Sequence, residues 1–347
     1  MFDEESEPRR ASTEKGPIFM PDRPRLAIYW ASSCGGCEIA VVNLHEKLLT
    51  VDSHFEFVFC PCLLDTKVDG VKAMADRSLA LTLFNGAIRT EENEEMAKLL
   101  RKKSQILVAY GACSAHGSIP ALSNLHERDE HMRTNYLVGP TVANAEQVIP
   151  GTRTEVPEGV LQLPAFYPRV KTLSDVVDVD YFLPGCPPEP HQIWKVIELL
   201  IQGGPLPPPG SVIGAGESTV CRECHRKKND KRVRQLRRTY ETVPDNETCL
   251  LEQGIVCLGI STRDGCGAPC PAANMPCSGC YGPAQGVWDQ GAKMVSALGS
   301  VLDLGNYAGQ TEAGIAAKTD AVMDAVPDPA GTFYRYTLGS CLLRRPQ

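Results

Sequence analysis

The stretch RLAIYWASSCGGCEIAVVNLHEKLL, residues 25–49, decides the fold. Arg25–Trp30 is a short apolar run of strand-forming composition. A tight polar loop follows with Cys34 and Cys37 in C-x2-C spacing, and then a helix-like stretch, Glu38–Leu49. There Ile39, Val42 and Leu49, with Leu48, are expected to form the apolar stripe that faces a core. Strand, loop and helix in that order open an α/β unit, with two thiols at the carboxyl end of the strand.

The same alternation continues outward. Phe55–Cys60, Ala80–Asn85, Gln105–Tyr110 and Val179–Leu183 read as further strands, and Glu91–Lys103 as a second clear helix. Near-continuous apolar strands alternating with helices predict a doubly wound α/β parallel sheet covered on both faces. Cys113, in YGACSAHG, follows the fourth strand, and Cys186, in PGCPPEP, follows the fifth. Ligands of open α/β sheets bind beyond the carboxyl ends of the strands. Cys34, Cys37, Cys113 and Cys186 are therefore expected to converge at one rim as a four-thiolate site for a 4Fe–4S cluster, one thiolate per iron. Cys60 and Cys62, in FCPCLLD, have no evident partners and read as buried small side chains, while Cys341 stands alone.

After the proline- and glycine-rich stretch Gly203–Gly216, which reads as a linker or a meandering connection, the composition changes. Eight cysteines divide into Cys221, Cys224, Cys249 and Cys257, then Cys266, Cys270, Cys277 and Cys280. Little regular structure is expected there, so metal sites should supply much of the fold. Paired C-x2-C motifs also suit zinc. With the basic segment Arg226–Arg238 they would then describe a nucleic-acid-binding zinc module. The basic segment reads equally as the solvated face of a helix or as a docking surface for an acidic partner.

The 347 residues leave room for more than one core, and the net charge of −7 argues against a nucleic-acid binder. No apolar run reaches the length that spans a membrane. The first residues carry Arg9 and Arg10 with no apolar stretch behind them, which reads as a mobile polar arm. Fifteen cysteines then point to metal ligands in a reducing compartment, the cytoplasm, rather than to disulfides.

These motifs resemble the small, electron-transferring subunit of nickel–iron hydrogenases, over roughly residues 25–304. The ordered set C-x2-C, G-x-C and PGCPP matches that family's proximal-cluster pattern, carried by a flavodoxin-like domain. The segment CLLEQGIVCLG resembles the one bearing the last two distal ligands. Cys221 stands where membrane-associated relatives have a histidine, and Cys270 where they have a proline. The resemblance thus implies three 4Fe–4S clusters, each held by four cysteines. It is greatest to the cytoplasmic methyl-viologen-reducing type, with the deazaflavin-reducing type a near relative. It implies a nickel–iron large subunit as partner and, downstream, an iron–sulfur or flavoprotein acceptor such as a component of a heterodisulfide reductase complex. The nickel–iron active site would lie on the large subunit, with Glu38 here either a candidate proton relay or a helix-start carboxylate that favours the dipole, and His116 and His191 structural. A relay subunit of a complex without hydrogenase activity is the alternative. The expected division is an arm over 1–24, a flavodoxin-like domain over 25–202, an iron–sulfur domain over 203–304 and a tail over 305–347.

Overall fold

The computed structural model describes residues 23–229, 232–303 and 309–343, so nearly all of the expected arm lies outside the described residues. The strands are β1 (Arg25–Trp30), β2 (Glu56–Phe59), β3 (Leu79–Asn85), β4 (Ser104–Tyr110), β5 (Tyr181–Leu183) and β6 (Ser211–Val212). They form one sheet in the order β2-β1-β3-β4-β5-β6, and every pairing is parallel. The first five follow the flavodoxin order, in which the chain switches direction across the sheet between β1 and β3. The five expected strands are all present. The sixth comes from the Gly203–Gly216 stretch, where Ser211 and Val212 pair with Tyr181 and Phe182 at the sheet edge.

Alternating side chains feed two cores. On one face Ile28, Leu83, Val108 and Leu183 pack against Ile193, Val196 and Ile197 of a long helix that starts at Pro190. On the other, Ala27, Tyr29, Phe84 and Leu107 pack against Met96, Ala97 and Leu100 of the helix Glu91–Lys103. That second helix has the bounds its sequence predicts. Thr90 and Asn93 close a capping box at its start, and acidic first-turn and basic last-turn residues suit its dipole.

The helix after β1 corrects the sequence reading. It breaks into Gly36–Val42 and Lys47–His54, with His45 between them at a positive φ of 51°. Ile39, Val42 and Leu49 are exposed, while Cys37, Ala40, Val41 and Leu44 are buried. The buried set has the spacing i, i+3, i+4, i+7, so the inward face of this helix is fixed by Cys37 pointing at the rim.

Beyond β6, the described residues of 217–289 contain only short helical turns, as expected. The helix Gln290–Val301 follows. Within the stretch read as a tail, Glu312–Met323 and Pro329–Phe333 are helical. Met294, Leu298, Val322, Phe333 and Leu338 pack on Val233, Leu236, Leu251 and Leu258 of the cysteine-rich segment, giving it an apolar core of its own. Cys341 is buried in that core, and its thiol donates to the Leu338 carbonyl at 3.2 Å.

Candidate functional site

Register across the sheet brings the first four cysteines together. Trp30 pairs with Asn85, Asn85 with Tyr110, and Tyr110 with Leu183, so β1, β3, β4 and β5 end on one line. The loops leaving β1, β4 and β5 carry Cys34 and Cys37, Cys113, and Cys186. The Ala112 amide donates to the Gly185 carbonyl at 2.7 Å, tying two of those loops together. Tyr110, fully buried, donates its hydroxyl to the Cys37 carbonyl at 2.8 Å. Gly111 has a φ of +84°, and a Cβ there would lie 2.5 Å from the Cys37 sulfur. Only glycine leaves that sulfur its space.

The sulfurs are close enough to oppose each other's ionisation. Burial pushes the Cys37 thiol well above its ordinary value, and Cys113, Glu38, Cys186 and Cys34 add to the shift. Cys113 is pushed up to about 12, by burial and then by Cys186. Thiols raised in this way stay protonated unless a cation binds among them and favours the thiolate form.

Glu38 follows Cys37 and is itself buried, at 7% exposure. The Asn85 amide donates to both of its carboxylate oxygens, at 2.7 and 2.9 Å, and to Ser33 Oγ at 3.0 Å. Sequence reasoning missed Asn85. Its signal was a polar residue closing the otherwise almost wholly apolar strand LALTLFN.

Cys221, Cys224, Cys249 and Cys257 line one small cavity with Gly259 and Pro271. Cys221 is pushed up to about 12, by burial and then by Cys257. Lys228 donates to the Cys221 carbonyl at 2.6 Å, and its charge works the other way. Cys266, Cys270 and Cys280 form the third neighbourhood: Cys280 is raised to about 12 by burial, then by Cys266, with Cys270 a smaller contributor. Cys277 stands at the seam between the second and third groups. Burial raises its thiol, with Cys257 the stronger sulfur neighbour and Cys280 the weaker, and its amide donates to the Cys257 sulfur at 3.3 Å. At the other seam Cys280 lies against Cys186, whose backbone N–H favours the Cys280 thiolate and whose sulfur opposes it.

The described residues of the basic segment form no helix. Its first residue, Arg226, is 4% exposed and works inward. Its guanidinium donates to the carbonyls of Pro271 (3.1 Å), Asp245 (2.7 Å) and Thr248 (3.0 Å) and to Asn274 Oδ1 (2.5 Å). One side chain thus joins the loops of Cys224, Cys249 and Cys270. The signal for it was an arginine two residues past a C-x2-C ligand in a segment without helical periodicity.

The remaining sequence candidates are structural. His116 Nδ1 shares a 3.1 Å hydrogen bond with Ser340 Oγ, its Nε2 abuts Gly282, and burial pulls it down to about 4. His191 Nε2 meets the Gly265 carbonyl at 3.0 Å. Both join the sheet domain to the cysteine-rich segment, and so does Tyr281, whose hydroxyl bonds Gln192 and accepts the Glu189 amide at 2.8 Å. The Cys60 and Cys62 sulfurs lie 3.5 Å apart, with Cys60 in the apolar core. Among the described residues no helix is long and apolar enough to cross a membrane.

Residues 34–200 match the family model described as NADH ubiquinone oxidoreductase, 20 Kd subunit. The iron–sulfur subunit of the F420-non-reducing hydrogenase of Archaeoglobus profundus is 39% identical over 327 residues, covering 92% of this chain and 98% of the relative. The equivalent subunit of the F420-non-reducing hydrogenase of Methanothermobacter marburgensis is 35% identical, covering 93% of this chain and 97% of the relative. Among solved structures, an NAD+-reducing [NiFe]-hydrogenase in the H2-reduced state aligns with a chain of 28% identity at a TM-score of 0.46, covering 54% of this chain and 96% of that one. With identity above 30% along almost its whole length, the chain belongs to the family of iron–sulfur subunits of F420-non-reducing hydrogenases.

Proposed function

We propose that this chain is the electron-transfer subunit of a cytoplasmic nickel–iron hydrogenase and holds three 4Fe–4S clusters in series. Cys34, Cys37, Cys113 and Cys186 would hold the first. Cys266, Cys270, Cys277 and Cys280 would hold the second, and Cys221, Cys224, Cys249 and Cys257 the third. The observation that carries this reading is the pair of seams. Cys186 of the first group lies against Cys280 of the second, and Cys277 of the second donates its amide to Cys257 of the third. Ligands of successive groups therefore touch, which is the arrangement a relay needs.

When bound, such clusters supply one-electron carriers whose potentials respond to hydrogen bonds at sulfur and to burial. The chain's residues provide those terms. The Cys277 amide reaches the Cys257 sulfur, Gly111 leaves room beside Cys37, and Arg226 and Tyr281 hold the loops in place. A single zinc ion draws its ligands to about 2.3 Å, whereas a four-iron cage holds its thiolates apart.

The partner at the first cluster would be the nickel-bearing large subunit. The acceptor beyond the third, implied by the family resemblance, is an iron–sulfur protein of a heterodisulfide reductase complex. Glu38 would relay protons at the large-subunit side. Glu38→Gln should then slow dihydrogen-dependent dye reduction at least tenfold with iron content unchanged, and an unchanged rate removes it from the path.

The purified complex should contain about twelve irons per copy of this chain, show the broad visible absorption of iron–sulfur centres, and reduce viologen dyes under dihydrogen. Stoichiometric zinc without colour overturns the reading. An associated large chain free of nickel removes the hydrogenase but leaves a relay.

A further inference from the structure

A cavity of about 760 Å³ opens between the strand Ile88–Thr90 and residues 118–166, and its lining residue Val170 also packs in the buried cluster of Cys113. Arg89 and Arg128 both line it. The Arg89 guanidinium lies over the Phe166 ring at 5.6 Å, and its Nη1 is buried with no hydrogen-bond partner. Arg128 donates to the Phe166 carbonyl at 3.3 Å and to the exposed Asp129 at 2.9 Å. The two cations stand near enough that burial and then Arg128 lower the basicity of Arg89. Ser123 Oγ, in the same lining, is also buried without a partner. A buried guanidinium donor left unmade costs several times what a surface one does, and a second cation beside it raises that cost. Together these groups form an incomplete site that a carboxylate would complete.

The surface around the cavity identifies the kind of molecule that brings the carboxylate. The hairpin of Arg153–Val156 and Gly159–Gln162 is almost wholly exposed, and Val160, Leu161 and Leu163 on it are 48%, 58% and 60% exposed. Val138 and Val148 of the same lobe are also exposed. This lobe is nonetheless well built: the Asn144 amide donates to the carbonyls of Tyr136 and Val148, both at 2.8 Å, and its oxygen accepts the Val148 amide. Apolar side chains held outward in this way mark a protein contact surface, and an arginine stacked on an aromatic ring is the usual anchor of one.

We infer that the lobe of residues 118–166 docks a partner subunit that inserts an aspartate or glutamate between Arg89 and Arg128 and covers the Val160–Leu163 surface with apolar side chains. The inference rests on the chain working within a hydrogenase assembly. A carboxylate between the two guanidiniums satisfies the Arg89 donor and relieves the repulsion between the cations, which a neutral apolar partner does not do.

The test uses the purified assembly carrying Arg89→Lys and Arg128→Lys, which keeps both charges and presents amines. Treated with a zero-length carbodiimide and digested, it should yield a cross-link from position 89 or 128 to an aspartate or glutamate of a partner subunit. A companion Arg89→Glu variant should lose at least tenfold in the partner's association constant. Cross-links only to Asp129, or none, in a complex that still contains nickel and iron overturn the docking inference and leave the hydrogenase reading standing. A cross-link to a partner in an assembly without nickel supports the docking and overturns the hydrogenase reading instead.

Discussion

The two cysteine-bearing regions reach similar chemistry by opposite routes. In the sheet domain, cysteines far apart in sequence meet because four strand ends are in register and two cores hold the strands there. After Gly216, cysteines close in sequence lie on loops with almost no regular structure among the described residues, joined by Arg226 and by the packing of later helices. The first arrangement is built by the sheet itself. The second has few backbone ladders to fall back on, so the proposed clusters would couple metal binding to folding there.

Anaerobic removal of iron gives the largest test of this contrast. Backbone amides of β1, β3 and β4 should keep their hydrogen-exchange protection, while those of residues 217–289 should lose most of theirs. Equal loss in both regions would break the comparison.

Gly111→Ala probes the rigid side. A methyl 2.5 Å from the Cys37 sulfur, at a φ of +84°, leaves no room for a cluster ligand to stay in place. Iron content should fall by about four per chain, one cluster, with the circular dichroism of the sheet retained. Full iron occupancy would show that the rim is as pliable as the loops.

Arg226→Met probes the other side. It removes the four hydrogen bonds of a buried cation, three of them to carbonyls of the loops that bear Cys249 and Cys270. A loss of about 3 kcal/mol is expected in denaturant unfolding, with the clusters on those loops released first and the Cys34 group last.

The junction between the regions gives the smallest effect. His116 is held neutral, pulled down to about 4 from an ordinary 6.5. The unfolded chain takes up the proton more readily than the folded one. The native state is therefore at full stability above pH 6.5 and loses it as pH falls towards 4, by about 2 kcal/mol, given that the ring keeps some surface. His116→Gln should flatten that part of the difference between unfolding at pH 7.5 and at pH 5. An unchanged slope would place the acid sensitivity elsewhere.

The five principal strands, the parallel sheet and the helix Glu91–Lys103 were legible in sequence, because apolar runs and capping residues act locally. So was the convergence of Cys34, Cys37, Cys113 and Cys186, since strand ends of an α/β sheet share a rim. The inward face of the first helix was misread because Cys37 was counted as a ligand and not as part of the buried stripe. Asn85 and Arg226 were missed because each bonds partners far along the chain. The packing of residues 309–343 was missed for a related reason: Glu312–Met323 buries only Val322, so it carries little apolar periodicity to announce a buried face.

What the sequence determined by itself was therefore the sheet, the convergence of Cys34, Cys37, Cys113 and Cys186 at its rim and, through its resemblance, the family. Periodicity, turn chemistry and ligand spacing are local quantities and survive in one dimension. Only the tertiary structure decided that Cys186 meets Cys280 and Cys277 meets Cys257, and that Arg89 and Arg128 face one cavity. Those meetings depend on how separate loops fold onto one another, and no spacing along a single segment encodes them.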